Sequence, residues 1–290
     1  MLTRYFSKFQ LEMRLWLLIA LQVLSNLAEV HWRRYRLAIL VALILLLCSV
    51  VVDAFNRVGI ITKHWLVLSR GNPWGIVTSM IVHGDFYHLY WNISSLMLVT
   101  IMTLGLFMLS NAFIDDSERA SEVQVKAFIL IVMLSHIIPS LRLYLEAVAS
   151  GEEVVAYGLS QVVFGLLGLF SIAFTMLIPL AGLSTLERGA RLPRFHRATF
   201  LASTTLFLAA TAILALGLDK FLEFMGIGIP EVNVRGHLES FLLGLVAGSC
   251  VLAAGYRDLN FTLTKFRAPG KSLRIEEARR QVVIKSSRIP

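Results

Sequence analysis

Three short stretches of this chain carry side chains suited to acyl-transfer chemistry. In His83-Gly-Asp-Phe-Tyr-His88-Leu-Tyr-Trp-Asn92, the residues His88 and Asn92 are four apart. On a helix that spacing puts both on one face, and two hydrogen-bond donors at one depth can hold a developing oxyanion. Ser160 stands in Gly158-Leu-Ser160-Gln161-Val-Val-Phe164-Gly165. A serine hydroxyl is a weak nucleophile until a base takes its proton. His237 stands in Gly236-His237-Leu-Glu239-Ser240-Phe-Leu-Leu-Gly244-Leu-Val-Ala-Gly248, and neutral imidazole is the natural base near pH 7. Ser240, Gly244 and Gly248 form a small-residue stripe at four-residue spacing, the mark of a closely packed helix face in membranes, and His237 shares that face. Each stretch alone has an ordinary structural explanation in interhelical packing and hydrogen bonding. Together they supply nucleophile, base and oxyanion donors. No aspartate is placed to orient the histidine, and Glu239 falls on another side of its helix, so the arrangement is a dyad.

Such a site needs elements that bring the three stretches to one depth. The chain has 290 residues, of which 57% are hydrophobic and 16% charged, against about 25% charged in soluble domains. Mean hydropathy is +0.72. Disorder is excluded by the hydrophobicity. A nucleic-acid binder is disfavoured because the net charge of +8 arises from few charges. Cys48 and Cys250 lie in apolar runs and read as packed thiols. The remaining class is an all-α polytopic membrane protein.

A span needs about 20 mostly apolar residues. Six candidates are 37–52, 87–109, 124–149, 158–183, 198–218 and 236–254. The segment 15–30 has its polar residues on one helical face and reads as an amphipathic interfacial helix rather than a seventh span. The expected organisation is therefore a cytoplasmic N-terminal segment (1–36), a six-helix membrane domain (37–255) and a basic cytoplasmic tail (256–290). Of the 27 Lys and Arg residues, only Arg57, Lys63, Arg70, Lys220 and Arg235 fall in the loops of one side, and Arg142 lies within a span. The positive-inside rule places both termini in the cytoplasm. Spans two, four and six then begin at the outer face, so His88, Asn92, Ser160 and His237 share one depth. The outer linker of about 55–86 is long and apolar, with Trp65 and Trp74, and is expected at the membrane interface.

With these features in place, the chain resembles the rhomboid intramembrane serine proteases over about residues 37–255. The His88-x-x-x-Asn92 pair is similar to the family's oxyanion motif, Gly158-x-Ser160 to its nucleophile motif, and His237 with its small-residue stripe to its general-base motif. Residues 73–83 look like the end of the family's first outer loop. The resemblance implies a six-transmembrane rhomboid-like bundle with a long interfacial first loop and a water-filled cavity open to the outer face. It implies Ser160 as nucleophile and His237 as base. His88, Asn92 and the Ser160 backbone N–H would hold the oxyanion, and Phe164 would pack under His237. His83, Gly158, Ser240 and Gly244 would be supporting residues. It further implies a multi-pass protein of a prokaryotic plasma membrane that cleaves single-span membrane proteins near the outer surface.

Three positions depart from the family pattern. Gln161 stands where glycine usually follows the serine, Gly75 where arginine usually follows the loop tryptophan, and Ser240 where glycine is usual. The first two motivate an alternative, a rhomboid-like protein that binds membrane clients without cleaving them. A transporter is a further alternative, prompted by His136, Arg142 and Glu146 in one span, although Arg142 and Glu146 are spaced to pair with each other. No cofactor and no metal are expected, since no His-Glu-x-x-His motif is present. The expected partners are transmembrane substrates and the lipid bilayer, with no nucleic acid.

Overall fold

The computed structural model describes residues 32–189, 194–215 and 233–261. The amphipathic segment 15–30, the end of the fifth expected span and the tail beyond Phe261 lie outside the described residues. A 3-10 turn, Trp32–Tyr35, leads into α1 (Arg36–Arg57). Then follow the short α2 (Gly75–Thr78), α3 (Phe86–Ser110), α4 (Ser117–Ser150), α5 (Ser160–Gly189), α6 (Arg194–Ala215) and α7 (Val234–Tyr256). Only isolated bridges, and no strand, occur among the described residues.

Among the described residues, five helices are long and apolar enough to cross a membrane: Trp32–Arg57, Phe86–Ser110, Ser117–Ser150, Ser160–Leu180 and Val234–Tyr256. They coincide with the expected spans one to four and six. The fifth expected span falls on α6, which is not among these five.

The bundle is built around α5. In the candidate span Ser160–Leu180, 67% of the most apolar window is buried, against 17% for Trp32–Arg57. A helix apolar on every side has no polar face to turn to water, so α5 packs on α3, α4, α6 and α7 at once. Helix α1 turns Leu37, Leu40, Leu43, Leu47 and Val51 outward, as lipid contact requires. Both cysteines are free, and Cys250 lies on the exposed surface of α7 rather than packed inside as its apolar neighbours suggested.

Close approach fixes how α5 meets α7. A Cβ on Gly244 would collide with the Gly165 carbonyl, and a Cβ on Gly168 with the Phe241 carbonyl. Small residues let two backbones touch where association in lipid depends on packing. This crossing sets the heights of Ser160 and His237, which lie N-terminal to it on their respective helices.

The segment 58–85 holds itself together. Leu68 and Ala156 exchange backbone hydrogen bonds of 3.1 and 3.2 Å, tying it to the loop before α5. Asn72 Nδ2 donates to the carbonyls of Trp65 and Val67, and Thr78 Oγ1 to that of Leu66. Val67, Leu68, Val82 and His83 are buried, whereas Trp65 and Trp74 are exposed. Gly75 rests on the backbone of Val67 and Leu68 and leaves no room for a Cβ. Glycine at this position is therefore required by the loop's own packing.

Opposite the starts of α3, α5 and α7, a buried polar knot joins four helices. Asn111 Nδ2 donates to Tyr35 Oη and Ser121 Oγ, both at 3.0 Å. Gln124 Nε2 donates to Asn111 Oδ1 at 2.9 Å and Tyr256 Oη at 2.6 Å.

Candidate active site

The backbone around Ser160 is shaped by what precedes it. Gly158 has φ +107°, a left-handed conformation that favours glycine. Its N–H donates to the Ser79 carbonyl at 2.8 Å. Leu159 is fully buried, and its carbonyl accepts the first helical bond, from the Val163 N–H at 3.0 Å. The opening N–H groups of a helix have no partner within it, and the Ser160 N–H is one of these. Helices α3, α4 and α7 have polar N-caps: Asp85 accepts from the His88 N–H, Asp116 from the Arg119 N–H and Asn233 from the Gly236 N–H. The aliphatic Leu159 cannot cap in this way, so α5 presents its N–H groups beside the serine.

The α3 pair lies directly against this turn. A Cβ built on Gly158 would stand 3.0 Å from His88 Cε1, 3.1 Å from His88 Nε2 and 3.4 Å from Asn92 Nδ2. Asn92 is buried, and its Nδ2 has no hydrogen-bond partner among the described residues. An unsatisfied buried donor is destabilising by about 1–3 kcal/mol, so this amide stands ready for an acceptor. His88 is held between the rings of His83 at 5.3 Å and Tyr157 at 5.8 Å.

His237 is buried in the first turn of α7, and its ring stacks on Phe164 at 4.3 Å between centroids. Phe164 lies one turn after Ser160 on the same face of α5. The stack thus brings the imidazole to the serine's side of the helix. Phe241, one turn after His237, completes the apolar floor with Phe164. Gly158, Ser160, Phe164, His88, Asn92 and His237 therefore converge where α3, α5 and α7 begin. Ser240 and Gly244 lie along α7 on its packed face, below His237.

His83 is not in this cluster's chemistry. It is buried in the loop just before α3, and neither ring nitrogen meets a hydrogen-bond partner of good geometry among the described residues. Burial lowers its pKa to about 4, so it is neutral near pH 7 and packs edge-on against His88. Asp85, at the α3 N-cap, is held below the usual carboxylate range by the His88 backbone N–H.

Gln161 does not point where Ser160 does. Its side chain is buried, its Oε1 accepts from Ser140 Oγ of α4 at 3.2 Å, and it approaches Gly236 of α7. It is therefore engaged between α4 and α7. His136 of α4, 3.3 Å from Ser79 Oγ, and Ser140 line the same polar pocket. The spacing rules that found the serine and histidines did not find Ser79 or Ser140, and His136 entered only through the transport alternative. The available signal was a histidine, a proline and serines inside an otherwise apolar span.

At the rim, Arg142 pairs with Glu146, as their spacing predicts, and also with Glu239 at 2.8 Å. Arg235 completes the set at 3.2 Å from both acids. These residues clasp α4 to α7. Among the described residues no group of three or more His, Cys, Asp or Glu side chains is arranged to hold a metal ion. Compared with protein-family models, curated proteins and solved structures, the chain matches none.

Proposed function

We propose that this chain is an intramembrane serine endopeptidase of the rhomboid type, with α6 as its fifth span and the segment 58–85 at the outer interface. The observation that carries the reading is the meeting of three helix starts. Gly158 backs onto His88 and Asn92, and Phe164, one turn below Ser160, stacks on His237.

In the proposed reaction His237 takes the Ser160 hydroxyl proton as Oγ bonds to the scissile carbonyl carbon. The carbonyl oxygen becomes an anion beside Asn92 Nδ2, His88 and the Ser160 N–H. The C–N bond then breaks, and the leaving amine takes the proton from His237. Water, deprotonated by the same histidine, releases the acyl group as a carboxylic acid and regenerates the serine. Substrates are single-span membrane proteins whose helix unwinds near the outer face, because a regular helix shields its peptide bonds. The basic excess of the termini and inner loops supports cytoplasmic termini.

The features that favoured a non-cleaving client binder have other accounts: Gly75 has no room for a side chain and Gln161 is turned into the bundle. The charged residues that suggested a transport relay are engaged with one another at the rim.

The test is cleavage of a single-span reporter co-expressed with the full chain. Cleavage should occur with the wild type and fall to background with S160A and with H237A. Undiminished cleavage by both variants overturns the reading.

A further inference from the structure

Two of the departures from the family pattern, Gln161 and Ser240, both dock on α4, within residues 135–140. Ser240 Oγ is 2.7 Å from the Ser135 carbonyl and 2.7 Å from the Gly236 carbonyl of its own helix. One hydroxyl proton serves one of them at a time. The Gly236 carbonyl already faces the Ser240 N–H in the helical i to i−4 pattern. The Ser135 carbonyl has lost that partner, because residue 139 is proline and has no N–H to donate. A buried carbonyl without a donor is unfavourable, so the hydroxyl proton belongs to Ser135. Ser135, Pro139 and Ser240 are all buried. Pro139 and Ser240 thus form a matched pair across α4 and α7, three residues from His237.

Five residues along α4, Ser140 Oγ donates to Gln161 Oε1 at 3.2 Å. Gln161 adjoins Ser160 and approaches Gly236, which precedes His237. Between them His136 holds Ser79, whose carbonyl anchors the Gly158 N–H.

We infer that this stretch of α4, residues 135–140, is the template that sets the register of Ser160 against His237, with Ser240 and Gln161 as positioning residues docked on Ser135 and Ser140. The inference rests on the protease reading. In glycine-paired helices, contact alone fixes separation but leaves sliding along the axis weakly opposed. A hydrogen bond from each helix to α4 fixes height as well, and height is what proton transfer from Ser160 to His237 depends on.

The experiment is a double-mutant cycle on the full chain in detergent, measuring kcat and KM on a single-span reporter with S240A, P139A and the double variant. Each single variant should lower kcat about three- to tenfold, the loss expected for one hydrogen bond, with KM unchanged. P139A restores an N–H to Ser135 and places alanine in a helix, where it is favoured, so it should fold at least as well as the wild type. Because P139A gives the Ser135 carbonyl its own helical donor, which competes with the Ser240 hydroxyl, both changes act on one bond, and the double variant should be no slower than the slower single variant. A parallel pair, S140A and Q161A, should behave in the same way. Full kcat in S240A, or losses that multiply in the double variant, overturns the inference while leaving the protease reading intact. A wild-type chain that is folded but neither cleaves nor is labelled by a fluorophosphonate overturns the protease reading, and this inference with it.

Discussion

Asn92 carries the sharpest chemical expectation of any single residue. Its Nδ2 is buried with no partner among the described residues and lies against Gly158. If it serves the oxyanion, N92A should lower kcat by about 10²–10³ with little change in KM, measured by steady-state reporter cleavage. Gly158 should tolerate no side chain: G158A introduces a Cβ at a positive φ and within about 3 Å of the His88 ring. His83 gives a prediction of another kind. Its pKa is lowered to about 4 by burial, while the unfolded chain binds that proton near 6.5. The unfolded state therefore holds more protons between those values, and stability present above about pH 6.5 should fall as pH drops toward 4. Thermal denaturation in detergent at pH 7 and pH 5 should show a loss that H83Q reduces. His88, Asn92, Ser160 and His237 were legible because each is polar in an apolar run at helical spacing. Ser79, Ser135 and Ser140 were not legible, and His136 stood out only as part of the transport alternative. Their partners are distant in sequence, 57 positions for Ser79 with His136 and 105 for Ser135 with Ser240, and no local pattern encodes such pairings.

Among the helices, the contact of α5 with α7 governs the rest. Gly244 faces the Gly165 carbonyl, and backbone cannot yield as a flexible side chain can. G244V should therefore push α5 and α7 apart, lowering stability by about 1–3 kcal/mol or more and abolishing cleavage, as a shifted thermal midpoint and a reporter blot would show. The small-residue stripe announced this contact from sequence. The stripe did not announce that Pro139 of α4 frees a carbonyl for Ser240, since a proline in a membrane helix is compatible with many ways of satisfying the released group. Five of the six expected spans fall on long apolar helices because lipid demands long apolar runs, although α4 begins at Ser117, ahead of the expected 124. The loop 58–85 was legible only as apolar and aromatic. Its fold depends on Asn72 and Thr78 bonding to its own carbonyls and on the bridge from Leu68 to Ala156.

For the molecule as a whole, the polar residues divide between two ends. The starts of α3, α5 and α7 gather the proposed catalytic groups, the α4–α7 ion pairs and the loop 58–85. The other end gathers the Tyr35, Asn111, Gln124 and Tyr256 knot. Under the proposed orientation, a cysteine at Glu152 should react with a membrane-impermeant maleimide in intact cells, and one at Asp258 only after permeabilisation, both in a background lacking Cys48 and Cys250. The basic residues of the termini and inner loops are what make that orientation readable from sequence. The central claim is that Ser160 is an activated nucleophile, and its most direct measurement is fluorophosphonate labelling of the purified wild-type chain with the modified peptide identified by mass. The account predicts a single phosphonylated residue, Ser160, with labelling lost in H237A. Labelling absent from a folded wild-type chain, or unchanged in S160A, contradicts it.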